Sequence, residues 1–214
     1  MPNTLGRYGS VPGVLMGSLG GVGWSKIAAL ALASVLFLAN TGCSVPVPEG
    51  RTPPVPAPER PDPAVRDQIQ IYSLVVRRLC GPDDTGGGEM PKPVVYISRV
   101  TNDRAGDFDA DEGTPALIPD AVQTGVVAAL ADLQSKIEWV DRPESVRRVP
   151  STGAVWGGGA IIELGSVRRV GENEVHVPAS IYFANLGAGG TTYVVRRVGG
   201  TWRVTGTTGV QWIS

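Results

Sequence analysis

Eight prolines fall within residues 44–63, in "SVPVPEGRTPPVPAPERPDP". Proline fixes φ and carries no N–H donor, so this stretch suits neither helix nor sheet and favours an extended polyproline conformation. It therefore divides the chain. Whatever packs a core must lie after it, in residues 62–214. What precedes it must be read separately. As a semi-rigid spacer rising ~3.1 Å per residue, twenty such residues reach roughly 60 Å.

Before the stretch, Lys26 is followed by thirteen uncharged, mostly apolar residues, 27–39, and then "NTGC". Residues 1–42 contain Arg7 and Lys26 and no acid. A basic residue followed by a short apolar run is the order of a secretory signal. The run is shorter than the ~20 apolar residues a membrane span needs. Met16 is a plausible alternative start, because it places "MGSLGGVGWSK" directly before the run.

The residues around Cys43 resemble the processing site of bacterial lipoprotein precursors. Thr41, Gly42 and Cys43 match the family's small-small-cysteine pattern, while Asn40 stands where leucine is usual. The resemblance implies cleavage before Cys43, a covalent diacylglycerol on its sulfur and a protein held by lipid on the extracytoplasmic face of the cell membrane. Two other outcomes remain open: ordinary signal cleavage near Ala39–Gly42 with release of a soluble protein, and an uncleaved helical anchor. A stalk directly after the cysteine fits the anchored readings.

Composition bounds the rest. Apolar residues make up 42% of the 214, enough for a core. Without residues 1–42, the 19 basic side chains become 17 against 20 acidic ones, a net of about −3. That balance argues against a nucleic-acid partner.

The domain reads as α+β. Val65, Ile69, Tyr72, Val76 and Leu79 recur at helical spacing after an Asp62-Pro63 start, with Gly81 as a left-handed stop. A strand is expected over 93–100 and a second helix over 119–134, with Val122, Val126, Ala129, Leu130 and Leu133 on its apolar face. A short strand follows at 136–141. From residue 159 the pattern is β: a strand region broken at Gly165, a turn at 171–173 where Asn173 tolerates the left-handed region, and an alternating strand with Val175, Val177, Ala179, Ile181 and Phe183 on one face. "GAGG" at 187–190 reads as the next turn. Gly199-Gly200 reads as a two-residue primed hairpin turn that sets Val195 opposite Val204, Arg196 opposite Arg203 and Arg197 opposite Trp202. A last strand is expected to bend at Gly206 or Gly209. The expected fold is thus two helices packed on a curved, mainly antiparallel sheet that ends in a C-terminal β-meander.

The closing run from Tyr193 through Trp202 to Ile213 is similar to the end of NTF2-like (cystatin-like) domains, in which a curved sheet wraps one or more helices. The domain also resembles uncharacterised secreted bacterial proteins that end in such a sheet. Domains of the NTF2-like kind host enzymes, ligand binders and adaptors alike, so the resemblance implies a fold and no single activity.

Candidate chemistry is sparse. Asp107, Asp109 and Asp111 alternate as oxygen ligands do at the start of a calcium loop. Glu112 and Ile118 stand where that motif needs glycine and glutamate, so these residues offer at most a looser Ca2+ site beside the plainer reading of a solvated acidic loop. His176, the one histidine, could act as a general base if Glu174 or Glu163 oriented it. Its place on the polar face also suits a surface histidine. Cys80 reads as a buried thiol at the end of the first helix. A disulfide to Cys43 becomes an alternative if Cys43 is not lipidated, and a nucleophile flanked by Arg77 and Arg78 is the remaining one. Arginine pairs recur at 77/78, 147/148, 168/169 and 196/197. Arg196 facing Arg203 repels unless an acid or a bound anion stands between, which makes the two candidate anion-binding residues.

No catalytic constellation emerges, and an enzyme is the less favoured class. The leading expectation is a cell-envelope lipoprotein that displays a non-enzymatic domain for a small ligand, an envelope protein or an anionic polymer, without a cofactor. A hydrolase using His176 with a carboxylate and a structural or assembly factor of the envelope are the alternatives.

Overall fold

A computed structural model describes residues 62–81, 92–111 and 113–214. The apolar run, Cys43 and the stalk before Asp62 lie outside the described residues.

Helix α1 spans Pro63–Cys80. Asp62 caps it, its Oδ1 accepting from the Ala64 N–H at 2.8 Å. Ile71, Tyr72, Val75, Val76 and Leu79 are buried, and Val65 and Ile69 partly so. The buried face is wider than the expected stripe because α1 touches the sheet on one side and a second helix on another. Gly81 is not a left-handed stop. It is extended, at φ −82° and ψ 173°. The chain leaves the helix so close to the last turn that a Cβ there would stand 2.6 Å from the Arg77 carbonyl oxygen.

Helix α2, Asp120–Ala129, is shorter than expected. Past Ala129 the backbone unwinds into turns, with Leu133 N–H bonding Leu130 O at 3.0 Å. Arg77 from α1 stabilises this end. Its guanidinium donates to the Ala129 carbonyl at 2.6 Å and to Asp132 Oδ2 at 2.9 Å, satisfying groups a helix C-terminus leaves free. Val122, Val126 and Leu130 are buried, whereas Ala129 is exposed.

Seven strands form one sheet: β1 Val94–Ser98, β2 Lys136–Val140, β3 Ala160–Leu164, β4 Arg168–Gly171, β5 Glu174–Ala184, β6 Gly187–Val198 and β7 Thr201–Ile213. The order is β2-β1-β3-β5-β6-β7, with β4 pairing β5 beyond the end of β3. β1 runs parallel to β2 and to β3, and every other pairing is antiparallel. α2 supplies the crossover that the parallel β1–β2 pair requires.

One face of the sheet carries Val95, Ile97, Ala160, Ile162, Leu164, Val175, Val177, Ala179, Ile181, Tyr193, Val195 and Trp202, all buried in one cluster with both helices. Tyr72 reaches from α1 into this cluster and donates to the Gly165 carbonyl at 3.1 Å. Burial pushes its phenol up to about 12. Among the described residues no helix is long and apolar enough to cross a membrane.

The acidic loop lies on the opposite face. Asn102 Nδ2 donates to Glu163 Oε1 at 3.1 Å, Asp103 Oδ1 accepts from the Ser166 N–H at 2.6 Å, and Trp212 Nε1 donates to the Ala105 carbonyl at 3.1 Å. Phe108 stacks on Trp212 with centroids 4.3 Å apart.

The hairpin at Gly199-Gly200 forms as expected. Both glycines have positive φ, 58° and 80°, and the register pairs Val195 with Val204, Arg196 with Arg203 and Arg197 with Trp202. The turn between β4 and β5 falls at Glu172-Asn173 as expected, with Asn173 outside the left-handed region. The next turn is displaced. Gly187–Gly190 do not turn the chain. They open β6, and the reversal comes just before, where Ala184 pairs with Gly187. The glycines serve close approach, since a Cβ on Gly190 would collide with the Ala105 carbonyl oxygen and the Trp212 indole. β7 bends at Gly209, with φ 73° and a register shift against β6 between Gly190 and Thr192.

Candidate functional site: an uncharged cavity and a charged row

The glycine opening of β6 leaves a gap on the sheet. Beside it, Leu79 ends the buried stripe of α1, and Ile181 and Phe183 stand on β5. Together with Thr191, Tyr193 and Ile213 they bound a cavity of about 270 Å3. A Cβ on Gly187 would collide with the Phe183 ring, and one on Gly189 would stand 3.1 Å from the Trp212 carbonyl oxygen, so the glycines set how these neighbours close around the cavity. Leu186 and Ile213 stand at its rim, 91% and 72% exposed. Exposed apolar side chains grouped at the mouth of a cavity are a feature of ligand-binding surfaces. None of the side chains lining the cavity is charged. Lys92 comes near, its Nζ 5.9 Å from the Phe183 ring centroid, without lining it.

At the other end of the β5–β6 hairpin, on the face away from the helices, lies a row of charges. Glu174 pairs with Arg196, and Arg196 with Arg203. Arg196 Nε donates to Glu174 Oε2 at 2.6 Å, and His176 Nε2 lies 2.9 Å from Glu174 Oε1. Arg196, and after it His176, holds the Glu174 carboxyl below the usual glutamate range. Glu174 thus engages Arg196 from the side away from Arg203, and does not stand between the two arginines.

His176 thus has a carboxylate within hydrogen-bond reach, from Glu174 and not from Glu163. It does not line the cavity. A general base needs a place for substrate beside it. Here the imidazole and a guanidinium share one carboxylate on a sheet face, an arrangement that fastens β5 to β6.

The three aspartates are not gathered as a ligand set. Asp107 Oδ1 accepts from the Asp109 N–H at 2.9 Å, a local turn contact. Among the described residues no three His, Cys, Asp or Glu side chains converge in a way that could hold a metal ion. Cys80 is half-buried against the main core, and Cys43 lies outside the described residues. The arginine pairs divide among several duties. Arg77 meets Asp132, Arg168 meets Asp103 at 3.4 Å, and Arg197 meets Asp67. Arg147 and Arg148 cover the rings of Trp156 and Tyr182, at 3.9 and 4.8 Å.

Sequence reasoning overlooks the cavity because glycines between two strands look like a turn. The signal lay in the alternation of β6, which continues backward from Tyr193 through Thr191 to Gly189. Compared with known proteins, the chain matches no family model, no curated protein and no solved structure.

Proposed function

We propose that this chain is a cell-envelope lipoprotein whose domain, residues 62–214, is a non-enzymatic binding module for a small ligand. Cys43 carries diacylglycerol, and the proline stalk holds the domain away from the extracytoplasmic face of the membrane. The address rests on residues 26–63. The binding role rests on one observation, the cavity of about 270 Å3 that no charged side chain lines and whose rim exposes Leu186 and Ile213. A ligand entering it gains from leaving water, at ~25 cal/mol per Å2 of apolar surface buried. A hydrolase built on His176 has less support, since its carboxylate partner is shared with Arg196 and the imidazole does not line this cavity.

Benzene titration followed by methyl NMR tests the binding role. Apolar cavities smaller than this one take up benzene. Saturable shifts of the Ile181 and Leu79 methyl groups are expected, and Ile181→Phe, which fills the space, should abolish the Leu79 shifts while the backbone spectrum stays folded. Unmoved methyls across the titration contradict the reading.

A further inference from the structure

Arg196 on β6 and Arg203 on β7 stand directly opposite each other, and both are exposed. Residues so paired keep their Cβ atoms within ~5.5 Å, and like charges there repel. Arg77, Arg168 and Arg197 each meet a carboxylate, but Arg203 meets no acceptor among the described residues. Arg196 gives Glu174 only its Nε, at 2.6 Å, and its Nη groups meet no acceptor among the described residues. Glu174 is held on both oxygens, Oε2 by Arg196 and Oε1 by His176, so turning it toward Arg203 would break both contacts. Threonine at position 203 would suit the strand without the repulsion.

From this we infer that Arg196 and Arg203 together bind a phosphate group, free or carried on a polymer, on the face of the sheet away from the helices. The site is separate from the cavity and does not depend on it. The pairing register selects the ligand's charge, because it sets two cations side by side with no acid between them. The donors select its shape. Each guanidinium is a planar fork of N–H groups, and a planar carboxylate matches one such fork. A tetrahedral phosphate carries enough oxygens to accept from two forks that approach from neighbouring strands. Glu174 assists by holding Arg196 through Nε, which leaves the Nη edge for the anion.

Titration of the full-length protein with inorganic phosphate, followed through the arginine Nε–H resonances, tests the inference. The Arg196 and Arg203 signals should shift together and saturate, and sodium chloride at matched ionic strength should not reproduce the shifts. Arg203→Gln should weaken phosphate binding about tenfold, the loss expected of charge-assisted hydrogen bonds. Without phosphate this variant should melt no lower than the wild type, and phosphate should raise the wild-type melting temperature more than the variant's. Polyphosphate at the same concentration of phosphate groups separates the sources: tighter binding than inorganic phosphate points to a polymer, and equal binding to the free anion, the site standing in both cases. If chloride and phosphate act alike, the two arginines feel only screening and the inference falls. It falls too if Arg203→Gln binds phosphate as tightly as the wild type.

Discussion

Arg197 on β6 donates from Nη2 to both carboxylate oxygens of Asp67 on α1, at 2.6 Å each. The two residues are 130 positions apart, and the contact ties the first helix to the last hairpin. The same guanidinium lies 4.7 Å from the ring centroid of Trp202, which is 1% exposed. The two side chains keep 36% and 29% of their exposure, so solvent screening discounts the ion pair. Asp67→Asn should lower unfolding free energy by about 1 kcal/mol in urea. Arg197→Ala should cost more, because it also uncovers Trp202. Equal effects from the two variants would mean that the indole cover contributes nothing.

Glu174 should report its partners through its titration. Its folded pKa is depressed by Arg196 first and His176 second, so the stability it contributes is complete above the unfolded glutamate pKa. That contribution is lost as pH falls through the lower folded pKa. Carboxyl NMR of Glu174 should show a midpoint below the ordinary glutamate range, and Arg196→Gln should bring it back toward that range. Denaturation at acid pH should lose part of its pH dependence in the same variant.

The Gly199-Gly200 turn should tolerate substitution unevenly. Both residues sit at positive φ, which costs L-residues roughly 1–2 kcal/mol each. Gly200→Val should therefore destabilise the protein by about 1–2 kcal/mol. Gly199→Asn should stay within about 0.5 kcal/mol, since asparagine suits the first position of this turn. No Cβ at either site meets another atom within 4 Å, so thermal melts of the two variants isolate backbone strain.

These particulars show what was legible before the structure. The hairpin register was, because a two-residue glycine turn leaves one way to pair Val195 with Val204 and Arg197 with Trp202. The helix α1 stripe was legible from spacing, but its full width was not: Ile71 and Val75 are buried by elements distant in sequence. The β1-α2-β2 order is local, yet the parallel insertion of β1 between β2 and β3 depends on tertiary packing. The cavity was hidden because glycine is read as a turn residue, while Gly187–Gly190 make room beneath Trp212 and beside Phe183. The charged row was half legible. Arg196 opposite Arg203 followed from register, and the place of Glu174 across β5 required the full sheet.

Intact mass spectrometry of the protein extracted from the membrane fraction bears most directly on the proposal that a lipid on Cys43 displays this domain. A mature chain beginning at Cys43, heavier by a diacylglyceryl group and shifted to the soluble fraction by Cys43→Ser, is the expected result. A mature chain that begins elsewhere, or one that begins at Cys43 without lipid, contradicts it.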